Sequence, residues 1–124
     1  MNIINRKFTY IDLTYLNQMS NRNSEFIIEM IGIYKAQIPD FQNKLSYSRK
    51  KGDIEELLKI THKIKGALVI MGVSYFEQVL NSFEERELVE MTEMDDFIDE
   101  FDIICKKIEI ELEGVENEFK NNVL

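Results

Sequence analysis

The amino-acid sequence predicts an all-α protein, a bundle of four substantial helices with a shorter helix in front. Apolar residues recur at steps of three and four along most of the chain, which is typical of amphipathic helices. Five glycines and one proline in 124 residues are too few, and too widely spaced, for a turn-rich β protein. We therefore expect a single domain over residues 1–124, with the bundle core at about residues 24–118 and a capping helix at about residues 10–19.

The first two helices are separated by a polar break at residues 20–24, which supplies the N-cap of the second. The short helix covers residues 12–18, with Leu13 and Leu16 facing inward and Thr9 as a candidate cap. Pro39 lies inside the second helix, where we expect a bend and not a boundary, because the apolar pattern keeps its phase across it. That pattern consists of Phe26, Met30, Ile33 or Tyr34, Ile38, Phe41 and Leu45.

The third helix has clear signals at both ends. Gly52 ends the helix before it, and Asp53 with Glu56 forms the capping pair that opens it. Gly72 suits its C-terminal end. Its apolar face consists of Ile54, Leu57, Leu58, Ile60, Ile64, Leu68 and Met71.

Two further capping patterns open the last helices. Residues 74–77 form a Ser-x-x-Glu capping box, which starts a fourth helix that extends toward Leu88. Thr92 with Asp95 is the candidate cap of a long final helix. The apolar faces of these two helices consist of Leu80 and Phe83, then Phe97, Phe101, Ile104, Cys105, Ile108, Leu112, Val115 and Phe119.

Composition and charge exclude several function classes. Fifteen Lys and Arg against 23 Asp and Glu give a net charge of −8, which argues against non-specific nucleic-acid binding. No apolar run approaches the roughly 18 residues of a membrane span, and the N-terminus lacks the apolar segment of a signal peptide. The single cysteine, Cys105, excludes a disulfide within the chain and is expected in the core. We expect a soluble, acidic, cytoplasmic domain without membrane or nucleic-acid partners.

Two charged runs have structural explanations. Residues 49–51 are basic and end a helix, where they complement its dipole. Glutamates 109, 111, 113, 116 and 118 are expected to form a solvated face and not a metal site, because no second set of ligands faces them.

The only histidine, His62, lies on the polar side of the third helix. At about 100° per residue, it falls roughly 140° from the centre of the apolar face, on a side shared with Glu55, Lys59 and Gly66. A core position is therefore not expected, and the ring is predicted to be exposed to solvent.

Lys65 and Gly66 follow His62 at the third and fourth positions and so can neighbour the imidazole. A glycine inside a helix costs about 1 kcal/mol relative to alanine, and its missing side chain lets another group approach closely. With Lys59 and Lys63, Lys65 also forms a basic spot in an acidic chain. This set suits a phosphoryl group bound covalently to an imidazole nitrogen. A solvated, lysine-rich helix with an incidental glycine is the alternative at this point.

Glu84 is predicted to lie level with His62 if the helices on either side of Gly72 are antiparallel. His62 is about 15 Å before the turn and Glu84 about 16 Å after it. A carboxylate there can accept the Nδ1–H of the imidazole and leave Nε2 as the nucleophile. The alternative is an ordinary exposed glutamate.

These residues resemble the histidine-containing phosphotransfer (HPt) domain. Residues 61–67 are Thr-His-Lys-Ile-Lys-Gly-Ala, and the family motif is His-x-x-Lys-Gly with a second glycine six residues further on, here Gly72. The resemblance covers nearly the whole chain, including the proline in the long second helix. Thr61 and Leu68 depart from the small residues usual at their positions, so altered packing is expected there.

The resemblance implies an antiparallel up-down-up-down four-helix bundle with a short N-terminal helix. It also implies that His62 is the phosphoacceptor at Nε2, that Lys65 stabilises the phosphoryl group and that Gly66 admits the partner. Glu84 is expected to orient the imidazole.

The expected function is that of a phosphorelay carrier without ATP binding or kinase activity of its own. His62 accepts the group from the phospho-aspartate of a receiver domain or from a hybrid sensor histidine kinase, and passes it to a response-regulator receiver. No metal or cofactor is expected on this chain, since Mg²⁺ belongs to the partner's receiver domain. Lys59, Lys63 and Val69 are candidate docking residues of a monomer.

Two alternatives remain. The first is the dimerisation hairpin of an autokinase. Lys63 argues against it, because such kinases carry an acidic residue directly after the histidine. The second is a helical interaction or decoy bundle that binds receiver domains without being phosphorylated. The retained histidine, lysine and glycine argue against it, because a decoy does not need the nucleophile.

Overall fold

In the computed structural model, which describes residues 8–21 and 23–123, the chain is all-helical and its five helices pack together. The predicted domain limits at residues 1 and 124 lie outside the described residues. The helices are α1 (Thr14–Met19), α2 (Ser24–Lys50), α3 (Ile54–Met71), α4 (Glu77–Glu85) and α5 (Met91–Val123). No helix in the described ranges combines the length and the apolarity needed to cross a membrane.

The core lies where α2, α3 and α5 meet. Helix α4 packs on α3, and α1 also contacts α3, near its C-terminal end. Helix α2 packs against both α3 and α5. Aromatic rings join α4 to α5, with Phe83 and Phe76 in edge contact with Phe97. Cys105 is fully buried in the α5 stripe, as predicted.

The segment before α1 is fixed by a carboxylate of α5. The backbone N–H groups of Thr9, Tyr10 and Ile11 donate to the two oxygens of Glu111 at 2.8, 2.9 and 3.1 Å. The predicted solvated position of Glu111 is therefore wrong, as is Thr9 as the cap of α1. The helix begins at Thr14 instead, whose N–H donates to the side chain of Asp12.

Helix α2 continues through Pro39 without interruption, and the bend expected there stays a prediction. Asn23 caps it by accepting from the N–H groups of residues 25 and 26. From Tyr34 to Leu45 the buried residues are those predicted, and Ser48 is buried in addition. The earlier half was predicted one residue out of place, because Ile27 and Ile31 are buried where Phe26 and Met30 were expected.

The boundaries of α4 and α5 differ from those predicted. The capping box at residues 74–77 does not form, and α4 begins only at Glu77 after a turn without a side-chain cap. It ends at Glu85, which leaves Leu88 exposed in the connection. The α5 cap also differs, because Glu93 accepts from the N–H of Glu90, while Asp95 pairs with Arg49 of α2.

Candidate functional site

The position of His62 follows from the apolar face of α3. Leu57, Ile64 and Leu68 are buried against α2 and α4, so the opposite side of the helix faces solvent. The His62 side chain is 74% exposed, as the helical geometry predicted. The imidazole is therefore open to a partner while its helix is held by the core.

Glu84 comes to His62 because Phe83, the residue before it, is anchored in the core. Its Oε1 lies 2.6 Å from Nδ1 of His62. A carboxylate oxygen only accepts hydrogen bonds, so Nδ1 carries the hydrogen in this contact. In the neutral ring the lone pair is then on Nε2, the nitrogen that points away from α4.

The same carboxylate also binds Lys65. The ammonium group of Lys65 donates to Oε2 of Glu84 at 2.7 Å, so one oxygen holds the histidine and the other holds the lysine. These hydrogen bonds lower the pKa of Glu84 below its usual value, Lys65 contributing more than His62. Sequence reasoning placed Glu84 beside His62 but missed its bond to Lys65. The three-residue spacing of His62 and Lys65 was the available signal, since it puts both side chains within reach of one carboxylate.

The two glycines of the motif have different surroundings. A Cβ at Gly66 would meet no heavy atom within 4 Å, so nothing inside this chain requires a glycine there. Gly72 adopts φ +70° at the end of α3, and a Cβ there would lie 2.1 Å from the carbonyl oxygen of Asp12. Gly72 is thus required by the fold, whereas Gly66 leaves open space beside His62.

The candidate docking residues are all exposed around the imidazole. Lys59 and Lys63 line a hollow of about 610 Å³ between α2 and α3, which also includes His62 and Phe41. Val69 is 62% exposed and borders a second hollow of about 360 Å³, between α3 and α4, together with Lys65, Gly72 and Leu80. The histidine is therefore flanked by two concave surfaces, the first of which carries three lysines and two glutamates.

Within residues 8–21 and 23–123, no three His, Cys, Asp or Glu side chains converge as the ligands of a metal ion would. Comparisons with protein-family models, with curated proteins and with solved structures find no match to this chain.

Proposed function

We propose that this chain is a phosphorelay carrier in which His62 receives a phosphoryl group and passes it on. The observation that carries the proposal is the shared carboxylate of Glu84, which holds Nδ1 of an exposed histidine with one oxygen and the Lys65 ammonium with the other. A histidine kept only for structure needs no such exposure, and a surface histidine without chemistry needs no orienting carboxylate. The HPt resemblance of residues 62–72 supports the same function.

The proposed transfer begins with the lone pair of Nε2 attacking the phosphorus of a partner's aspartyl phosphate in line. The N–P bond forms as the P–O bond to the aspartate breaks, and the aspartate leaves as a carboxylate. The Nδ1 hydrogen stays on the ring, which becomes a phosphoimidazolium, and the carboxylate of Glu84 offsets its positive charge. The reverse sequence delivers the group to the next receiver.

Lys65 has donors left for the phosphoryl group. An ammonium group carries three hydrogens, and the structure accounts for one of them in the bond to Glu84. The remaining donors can bind phosphoryl oxygens as charge develops there. Gly66, four residues after His62, supplies the space in which the partner's active site approaches the imidazole.

The proposed partners are response-regulator receiver domains and an upstream hybrid sensor histidine kinase. Lys59 and Lys63 complement an acidic receiver pocket, and exposed Val69 supplies apolar contact. Phosphoryl transfer would use Mg²⁺ held by the receiver, and this chain would act without ATP and without kinase activity of its own. We further propose a cytoplasmic location and an up-down-up-down arrangement of α2 to α5, which their short connections support.

Two donors together test the proposal. Phosphoramidate, a small phosphoryl donor, measures the reactivity of the imidazole without a partner, and phosphorylated receiver domains measure the relay. We expect a label that is stable in alkali and lost in acid, as for phosphohistidine. The label is absent from the His62→Gln variant, while the far-ultraviolet circular dichroism of that variant is unchanged because the side chain is exposed.

Glu84→Gln separates the two bonds of the carboxylate. The amide oxygen still accepts from Nδ1, but the charge that holds Lys65 is lost. We expect labelling of His62 to persist at a reduced rate, and to fall further in Glu84→Ala. Label that remains in His62→Gln contradicts the proposal. Tight receiver binding without labelling by either donor would instead identify a decoy bundle.

A further inference from the structure

The outward face of α5 carries two exposed isoleucines that the core does not use. Ile103 is 59% exposed and Ile110 68%, and both lie on the side of the helix opposite its buried residues. They are seven residues apart, about 10 Å along the axis. Gly114 lies one turn beyond Ile110, and a Cβ there would meet nothing within 4 Å. The centre of this face is therefore apolar and has room for a second helix to approach.

Charged residues flank this stripe at regular spacing and with alternating sign. Asp99, Lys106, Glu113 and Lys120 follow one another at seven-residue steps, so they lie along one edge of the face. In an antiparallel copy centred next to Ile110, Asp99 lies level with Lys120 of the other copy, and Lys106 lies level with Glu113. Each acidic position therefore meets a basic one. The edge is thus complementary to its own antiparallel copy.

We propose that this face binds the same face of a second copy of the chain, antiparallel, with the twofold axis beside Ile110. In this arrangement Lys106 lies opposite Glu113 of the partner subunit, and Asp99 lies opposite Lys120 of the partner subunit. The symmetry repeats each pair, which gives four ion pairs around the central isoleucines. Gly114 allows the two helices to approach closely on the other edge, where Lys107 of one copy lies over it.

Charge also excludes the parallel arrangement of the same two faces. In a parallel pair the first edge meets the second edge of the partner, which carries Glu100 and Lys107. Asp99 would then face a glutamate and Lys106 a lysine, so both pairs would repel. The ion pairs of Asp99 with Arg49 and of Glu113 with Lys35 do not prevent the antiparallel contact, because the Asp99 and Glu113 side chains remain 64% and 59% exposed.

The proposed dimer is weak and independent of phosphotransfer. A contact through one helix face buries less than the roughly 1,200 Å² of a standard interface, so we expect a dissociation constant on the order of 0.1 mM. The contact uses no residue of α3 or α4, and so it leaves His62 accessible. The monomer expected from the sequence would therefore be in equilibrium with a dimer at high protein concentration.

Sedimentation velocity over a range of protein concentrations tests the dimer, with helical content checked by circular dichroism. We expect the average mass to rise toward that of two chains as concentration increases, and to fall again at high salt, which screens the ion pairs. Lys106→Glu should weaken association at least tenfold, because it places like charges opposite each other twice. The double variant Lys106→Glu with Glu113→Lys should restore it, since the two charges exchange places and Lys35, the neighbour of Glu113, keeps its closer ion pair with Glu116.

Leu88→Asp is the matched control, because it removes a similarly exposed apolar side chain from the connection between α4 and α5. Its association should equal that of the unmodified chain, whereas Ile110→Asp should abolish dimerisation. A chain that stays monomeric up to about 1 mM overturns the proposal. So does a dimer that Lys106→Glu leaves intact, or one that the double variant fails to restore.

Discussion

Replacing Gly66 with alanine separates what the fold needs from what the site needs. The added Cβ meets no atom of this chain within 4 Å, so the change introduces no internal clash. Alanine is favoured over glycine inside a helix by about 1 kcal/mol, and we expect Gly66→Ala to stabilise the protein by that amount. For a domain of this size the corresponding rise in melting temperature is about 3–5 °C. The same methyl group stands beside His62, where we propose that a partner approaches.

The expected effect on transfer has the opposite sign. A methyl group forced into a packed contact costs roughly 1–3 kcal/mol, so transfer from a phosphorylated receiver should slow by a factor of about 5 to 150. Labelling of His62 by phosphoramidate should change little, because that donor is small. The variant would therefore be more stable, chemically competent and slow in the relay.

Gly32 provides the control. It is another exposed glycine inside a long helix, and a Cβ there also meets nothing within 4 Å. It lies nine residues before Phe41, which shares a hollow with His62, and so about 13 Å from the level of the imidazole. Gly32→Ala should raise the melting temperature equally and leave the relay rate unchanged. Transfer at the normal rate by Gly66→Ala, or equal slowing by both variants, would refute the reasoning.

Three further predictions concern groups whose surroundings the structure defines. The pKa of Glu84, held below its usual 4.5, should rise toward that value in Lys65→Met, as followed by the carboxyl carbon resonance in a pH titration. The pKa of Glu84 is lower in the folded than in the unfolded protein. Its ionised carboxylate therefore contributes to the free energy of unfolding above pH 4.5, and this contribution is lost as the pH falls through the folded-state pKa. Gly72→Ala should destabilise the protein by at least about 2 kcal/mol in urea denaturation, since it combines left-handed backbone strain with a clash against Asp12. Burial raises the pKa of Cys105 to about 12, so a thiol reagent at about pH 8 should modify it only at the rate of unfolding; rapid modification of the native protein would contradict this. As the pH rises above 9.0, the usual pKa of a cysteine thiol, Cys105 ionises in the unfolded protein but not in the folded one, so the free energy of unfolding should fall.

Periodicity was enough to predict the helices and the outward position of His62. The buried sides of α3 and α5 follow the three- and four-residue repeat closely, so the polar side of α3 could be assigned without coordinates. The level of Glu84 could be predicted because helix rise is constant and the connection is short. Both inferences depend on backbone geometry alone.

The errors arose where side chains had more than one available partner. Glu111 looked like one member of a solvated run, but three backbone N–H groups from a segment about a hundred residues away bind it. Asp95 looked like a cap and instead pairs with Arg49. Such choices depend on which distant segment comes near, and a local pattern does not contain that information. The bond between Lys65 and Glu84 is different, because the three-residue spacing of His62 and Lys65 was a local signal that could have predicted it.

That missed bond bears on why the orienting residue is a glutamate. One oxygen of Glu84 accepts from Nδ1 and so fixes the tautomer with the lone pair on Nε2, while the other oxygen holds the ammonium group of Lys65. In the transfer that we propose, the remaining donors of the Lys65 ammonium bind phosphoryl oxygens while the ring gains positive charge. The carboxylate of Glu84 is already in place to offset that charge, whereas a glutamine would accept from Nδ1 without supplying a counter-charge.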